Sequence, residues 1–148
     1  MMEVTDFKNN LWDYTRKIGE NTNMVITSLC EQHGVTMLQG RILVEIHQHG
    51  SHTIGSLASR LNIAGTNIST MCKKLGTKGF LERVRDEEDE RVVKLILSEK
   101  GNSVVKEINQ ELIEKILISI KGETDESLYE IINGLKKMND LLEKIRSL

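Results

Sequence analysis

The absence of proline from all 148 residues is the feature that most constrains this chain. Proline inside a helix removes a backbone hydrogen bond and clashes with the preceding turn, so a chain without it can form long uninterrupted helices. Aromatic residues make up only 3% of the sequence, which argues against a β-sandwich and against an aromatic platform for single-stranded nucleic acid. We therefore expect a mainly α-helical protein.

Composition places the chain among folded proteins of the cytoplasm. Hydrophobic residues make up 39% and charged residues 28%, values that are ordinary for a globular domain. No apolar run approaches the roughly 20 residues that span a bilayer, and the acidic N-terminus does not look like a secretory signal. The two cysteines, Cys30 and Cys72, have no metal-type spacing, so we expect reduced thiols and no cofactor.

Six helices are predicted from apolar side chains that recur every three or four residues. They fall within residues 5–31, 36–50, 53–61, 64–79, 98–122 and 124–148. Thr36, Thr53, Ser98 and Thr124 stand where an N-cap hydroxyl is favoured.

A helix-turn-helix with an attached hairpin is predicted in the middle of the chain. The two short helices flank a tight turn at residues 62–65, and the second of them is basic and hydroxyl-rich on its outer face. Two β-type runs follow, Phe80–Val84 and Val92–Leu97, and the acidic residues 86–90 separate them. This pattern indicates a small β-wing with a charged tip.

The charges are unevenly distributed although the net charge is only −2. Residues 51–85 carry six basic side chains and one acidic one, whereas residues 86–90 are all acidic. A basic centre of this kind suits a polyanion, because each phosphate that is neutralised releases counterions. Charge alone leaves open the alternative of an ordinary solvated surface.

The last predicted helix has an apolar seam at alternating steps of three and four residues, as in a coiled coil. We expect the terminal helices to form a homodimer interface, although packing of the last helix within the monomer is the alternative. The predicted divisions are an N-terminal dimerisation helix (1–34), a winged helix-turn-helix lobe (35–100) and C-terminal dimerisation helices (101–148). The predicted interface residues are Phe7, Leu11, Leu128, Ile131, Leu135, Met138, Leu142 and Ile145.

Two groups of residues make the chain resemble the MarR family of winged-helix transcription regulators over about residues 35–120. The wing and the helix after it follow the family pattern D-x-R-x-x-x-L-x-L-T-x-x-G, with serine in place of threonine. The helix-turn-helix and first wing strand also follow the family. The matching residues are Asp89, Arg91, Leu95, Leu97, Ser98 and Gly101 in the first group, and Leu57, Ala58, Leu61, Ile68, Leu75, Gly79 and Arg83 in the second.

The resemblance implies a mainly α-helical homodimer that binds a pseudo-palindromic DNA operator, usually as a repressor. Similar proteins are released from DNA by small effectors, often aromatic acids, or by thiol oxidation. A redox-sensing regulator and a helical protein–protein adaptor without DNA binding are the alternatives. An enzyme is disfavoured, because the chain has no Gly-rich phosphate loop, nucleophile elbow or metal-ligand spacing.

The helix that begins near Ala64 is expected to lie in the major groove. Asparagine can pair with an adenine edge and threonine can contact a thymine methyl group, so Thr66, Asn67 and Thr70 are the predicted base readers. Gly65 lets the backbone approach DNA closely. The predicted phosphate contacts on this helix are Ser69, Lys73 and Lys74.

The resemblance assigns Arg91 to the minor groove and Asp89 as the partner that orients it. The remaining acids of the tip must then point away from phosphates. Relatives often have Ser or Thr where Ala64 stands, so this helix is expected to lack a side-chain cap. Secondary phosphate candidates are Arg60, Arg85 and Lys94.

Several residues are candidate sensors. Three histidines lie close together in the sequence, His47, His49 and His52. They form either a metal site or, as we favour, a solvated helix end. Cys72 is expected to be buried, and Cys30 carries the redox alternative. The expected effector pocket contains Trp12, Arg16 and His33.

Overall fold

A computed structural model describes residues 1–148 and contains six helices and one two-stranded sheet. This architecture confirms the predicted mainly α fold with a small β-wing. None of the helices is both long enough and apolar enough to cross a membrane. In chain order the elements are α1 (Val4–Gln32), α2 (Met37–His49), α3 (Ile54–Leu61), α4 (Gly65–Thr77), β1 (Leu81–Arg85), β2 (Val93–Leu97), α5 (Glu99–Ser119) and α6 (Asp125–Arg146).

The helix starts follow the predicted caps. The hydroxyl oxygens of Thr36 and Thr53 each accept the amide N–H three residues later, and both positions form complete capping boxes. The Ser98 hydroxyl accepts the Gly101 amide at 3.0 Å, and Thr124 caps α6 in the same way. Ala64 makes no side-chain cap for α4, as expected from its methyl group.

The wing is an antiparallel pair in which Leu81 faces Leu97 and Arg85 faces Val93. Each strand begins one residue later than predicted. Phe80 is left out of β1 because its amide still donates to the Leu75 carbonyl at the end of α4, and its ring is buried. A short bridge between His52 and Leu95 adds a third segment beside β2.

All of the buried apolar side chains lie between Leu29 and Ile108 in the sequence, and together they form the hydrophobic core. Helices α2, α3 and α4 contribute the inner faces, and Phe80, Leu81 and Leu95 close the side of the wing. The core also includes the last turns of α1 and the first half of α5, through residues such as Val105.

The chain divides into two compact units, residues 1–112 and residues 113–148. This differs from the predicted division at residues 34 and 100. The reason is that Leu29 of α1 and Val104 and Ile108 of α5 belong to the core of the winged lobe. In the second unit, α6 has no buried residue.

Candidate nucleic-acid interface

The helix α4 has one apolar face and one polar face. Ile68, Cys72 and Leu75 are spaced by four and three residues, and each is almost completely buried. The opposite face is therefore turned to solvent. Ser69 is half-buried, and the exposed members of the predicted set are Gly65, Thr66, Asn67, Thr70, Lys73 and Lys74.

The side chains on this outer face are largely free of partners inside the chain. Those of Asn67, Lys73 and Lys74 make no hydrogen bond or ion pair, so their donors are available to a ligand. The Thr70 hydroxyl donates to the Thr66 carbonyl at 3.0 Å, and the residue remains exposed. Free amide and ammonium donors on one helix face are suited to base edges and phosphates.

At the tip of the wing, Asp89 holds Arg91 in place. The Asp89 carboxylate accepts the Arg91 Nε–H at 3.2 Å, an Nη2–H at 3.4 Å and the Arg91 backbone amide at 3.1 Å. The side-chain hydrogen bond from Arg91 lowers the pKa of the Asp89 carboxyl. The Arg91 side chain is 91% exposed, so a guanidinium group projects from the tip in a restrained orientation.

The other acidic residues of the tip differ in how they are paired. Asp86 forms an ion pair with Lys94 at 3.1 Å and accepts the Asp89 amide. The carboxylates of Glu87, Glu88 and Glu90 are exposed and have no partner. The tip therefore presents one restrained arginine beside three solvated negative charges.

The secondary phosphate candidates all have partners within the chain. Arg60 Nε donates to Glu45 Oε1 at 2.6 Å, and this hydrogen bond lowers the pKa of Glu45. Arg85 donates to the Glu90 carbonyl at 2.7 Å, and Lys94 is paired with Asp86. These three cations are consequently less available to DNA than Lys73 and Lys74.

The three predicted effector residues do not meet within the chain. Trp12 and Arg16 lie one turn apart on α1, whereas His33 follows its last turn, about 30 Å further along the helix axis at 1.5 Å per residue. Arg16 is paired with Asp13 and Glu20 on the exposed surface.

The imidazole of His33 lies between two carboxylates of α5. Its Nδ1 is 3.3 Å from Glu107 and its Nε2 is 3.0 Å from Glu111. Both ring nitrogens are therefore engaged inside the first unit.

A cleft that the sequence did not predict lies among α1, α2, α3 and α5. Its volume is about 470 Å³, and its walls are mainly apolar. Polar groups from Arg41, Glu45, Arg60 and Asn109 lie at its edge. These residues come from segments far apart in sequence, so no local motif identifies the cleft. Its apolar lining comprises Ile26, Cys30, Gly40, Val44, Leu61, Ile108 and Leu112.

The candidate sensor residues have structural contacts. The His52 Nδ1 is 2.9 Å from the Ser56 hydroxyl, and the His47 Nδ1 is 3.3 Å from the Asn102 side-chain oxygen. No three metal-ligating side chains come together anywhere in the structure. His49 is exposed.

Both cysteines are buried, and burial raises the pKa of each thiol, to about 11 for Cys72. Because the thiolate is the reactive form, this burial disfavours the redox alternative at Cys30. The prediction that Cys72 packs inside the lobe is confirmed.

Comparisons with known proteins agree with this geometry. The model of the MarR family matches residues 35–93, which cover the helix-turn-helix and most of the wing. An uncharacterised HTH-type transcriptional regulator of Bacillus subtilis strain 168, YwhA, is 28% identical over 138 residues. That match covers 90% of this chain and 99% of the relative.

Two solved structures show the same fold. A MarR family protein from Bacillus stearothermophilus has a TM-score of 0.84 at 20% identity and covers 96% of this chain and 99% of its own. A mutant of MarR from E. coli complexed with operator DNA has a TM-score of 0.71 at 18% identity, covering 92% and 98%.

Proposed function

We propose that this chain, which matches the model of the MarR family over residues 35–93, is a transcription regulator of that type that binds a specific duplex DNA sequence as a homodimer and represses transcription there. The observation that carries the proposal is the outer face of α4, where free amide and ammonium groups lie beside hydroxyl groups. A structural neighbour that is bound to operator DNA supports the same assignment.

In this proposal α4 enters the major groove. Asn67 pairs with an adenine edge, and Thr66 and Thr70 contact a thymine methyl group or a base acceptor. Lys73 and Lys74 bind phosphates. The uncapped first turn of α4 adds amide groups at the positive end of the helix dipole, which favours a nearby phosphate.

The wing contributes Arg91 to the adjacent minor groove. Its hydrogen bonds to Asp89 reduce the conformational freedom that binding would otherwise remove. The narrow minor groove of A·T-rich DNA has an enhanced negative potential that attracts a guanidinium group. The three unpaired glutamates of the tip oppose this attraction, so the operator is expected to be read mainly through α4.

The homodimer is proposed from the second unit. Its apolar side chains, including Ile131, Leu135 and Ile145, are 41–56% exposed in the single chain. A helix with an unburied apolar seam is stabilised by a partner surface. Two copies would place their α4 helices about one DNA turn apart, roughly 34 Å, facing two half-sites.

Release by a small effector is proposed at the cleft among α1, α2, α3 and α5. Its apolar walls suit a hydrocarbon or aromatic body. The Arg41 guanidinium has no partner in the chain and lies at the edge, where it suits a carboxylate. A ligand there regulates DNA binding only if it binds the free and DNA-bound conformations with different affinity.

Selection of duplexes from a random pool, followed by binding titrations at several salt concentrations, tests the proposal. We expect a pseudo-palindromic consensus and an affinity that falls steeply with salt, because phosphate contacts release counterions. Duplex binding without a consensus, or no salt-dependent binding at all, contradicts it.

Two variants separate the roles on α4. Asn67→Ala is expected to relax the preference at one base position of each half-site by about 1–3 kcal/mol. Lys73→Met is expected to weaken all duplexes alike and to reduce the salt slope by about one. Lys121→Met, which replaces an exposed lysine of the second unit, serves as the charge-matched control.

A further inference from the structure

Two lysines connect the ends of three helices in the first unit. Lys78 is the C-cap residue of α4, and its Nζ donates to the Gly34 carbonyl at 2.9 Å, just beyond the end of α1. Lys100, in the first turn of α5, donates from its Nζ to the Lys78 carbonyl at 2.9 Å. The last turn of α4 is thereby linked to α1 on one side and to α5 on the other.

Both acceptors are carbonyl groups at the C-terminal ends of helices. The Lys78 carbonyl belongs to the C-cap of α4, and the Gly34 carbonyl lies two residues beyond α1, so each is close to the negative end of a helix dipole, which favours an ammonium donor. The Lys100 ammonium also lies over the Phe80 ring, 4.6 Å from its centre. Both ammonium groups therefore donate to backbone carbonyls at the surface of the first unit.

The backbone around the two lysines is closely packed. A Cβ atom on Gly101 would lie 2.2 Å from the Phe80 carbonyl oxygen, so only glycine allows α5 to approach the turn after α4 this closely. The Ser98 amide donates to the same carbonyl at 3.0 Å, and the Ser98 hydroxyl donates to Gly79. Gly79 has a φ of +84°, which favours glycine in this turn.

We propose that Lys78 and Lys100 are positioning residues that set the orientation of α4 relative to α1 and α5, and so determine how accurately the helix fits the major groove. We call this pair the helix-end clasp. The inference rests on the proposed function, since it assigns the orientation of α4 a role in reading DNA. It differs from a role in phosphate binding, although both lysines are basic and exposed on the same lobe.

A lysine that binds phosphate and a lysine that orients α4 have different effects on specific and non-specific DNA binding. A lysine that binds phosphate contributes to every duplex and to the salt slope. A lysine that orients α4 affects the contacts to base edges, which tolerate little displacement, and leaves the number of neutralised phosphates unchanged. The ratio of specific to non-specific affinity therefore separates the two roles.

The experiment uses the full chain with Lys78→Met, Lys100→Met and both substitutions together, since methionine retains most of the alkyl stem and removes the donor. Lys106→Met, on the exposed face of α5, is the matched control. Affinity is measured for the selected duplex and for an unrelated duplex of equal length across a salt series. For the double variant we expect the specific affinity to fall roughly tenfold, as two hydrogen bonds are lost, with an unchanged non-specific affinity and salt slope.

Amide hydrogen exchange provides a readout that does not depend on DNA. In the double variant we expect faster exchange at the Gly79 and Phe80 amides, which close the end of α4, and unchanged exchange in the first turns of α2. Lys106→Met is expected to change neither measurement.

Two results would overturn the clasp. An equal loss of specific and non-specific affinity, with a salt slope reduced by about one per lysine, would make both residues phosphate contacts. Unchanged exchange and an unchanged affinity ratio would show that neither lysine orients α4. If the wild-type chain fails to bind duplex DNA, the proposed function fails, and the exchange measurement still decides whether the clasp orders the end of α4.

Discussion

The two units of this chain use apolar residues in different ways. In residues 1–112 apolar side chains converge on one core, and residues such as Leu43, Leu57 and Leu75 are completely buried. In residues 113–148 the apolar side chains are equally regular in spacing, yet α6 has no buried residue and Leu117 is 60% exposed.

Regular spacing therefore predicts a helix but does not say what covers its apolar face. The first unit supplies its own cover, because its helices and wing surround one core. Within the second unit, no residue of α6 is buried. In our proposal, a second copy of the chain buries the apolar face of this helix. The following substitutions test whether this difference between the units is real.

The largest effect is expected from a charge in the seam of α6. Leu135→Glu would place a carboxylate in the proposed dimer interface, where an unpaired charge is costly. We expect at least about 100-fold weaker self-association, measured by analytical ultracentrifugation, as for a hot-spot residue. Glu130→Gln, on an exposed position of the same helix, is the control. An unchanged sedimentation coefficient for Leu135→Glu would remove α6 from the interface.

A cavity in the first unit is expected to have an effect of comparable size, but this effect does not depend on a partner. Leu57→Ala removes a completely buried side chain and should lower the free energy of unfolding by about 2–5 kcal/mol in denaturant titrations. Leu117→Ala, made together with Leu135→Glu so that the chain is monomeric, should change it by less than about 0.5 kcal/mol. Similar losses for both would show that the second unit has a core of its own.

Substitution at the wing should give a moderate loss of DNA binding. We expect Arg91→Ala to weaken binding by about 1–3 kcal/mol at fixed salt, because one charged contact to the groove is lost. Glu88→Gln removes an unpaired negative charge from the same tip and should tighten binding. Gel-shift titrations measure both. An unchanged affinity for Arg91→Ala would exclude this residue from the interface.

The smallest effect is expected at a helix cap. Thr53→Ala removes the hydroxyl group that accepts the Ser56 amide and should destabilise the first unit by about 1 kcal/mol in the same denaturant titrations. Thr53→Ser retains the hydroxyl group and should restore most of this loss. Failure of serine to restore stability would mean that the methyl group, rather than the cap, is responsible.

Features that depend on neighbouring residues were predicted correctly. The caps at Thr36, Thr53 and Ser98 and the inner face of α4 follow from hydroxyl placement and from the helical period, which act over a few residues. The pairing of Asp89 with Arg91 is also local, and the structure contains it. The start of β1 was predicted one residue too early because Phe80 has strand-like chemistry but bonds back to α4.

Features that depend on distant residues were not predicted. Trp12, Arg16 and His33 were predicted to line one effector pocket, and within a single chain the continuous α1 keeps the first two far from the third. The cleft takes residues from four helices, and Arg60, predicted as a phosphate contact, is paired with Glu45 at its edge.

The sequence by itself determined the helices, their caps, the wing and the polar face of α4, because spacing and hydrogen-bonding groups act within one or two turns. The tertiary structure decided which charges remain free. In the sequence, nothing separates Lys78 and Lys100 from Lys73, since all three are lysines. In the structure, the ammonium groups of Lys78 and Lys100 donate to carbonyl groups near helix ends that are distant in sequence. A lysine whose ammonium group already donates to a carbonyl is less available to a ligand, and such partners are known only once the chain has packed.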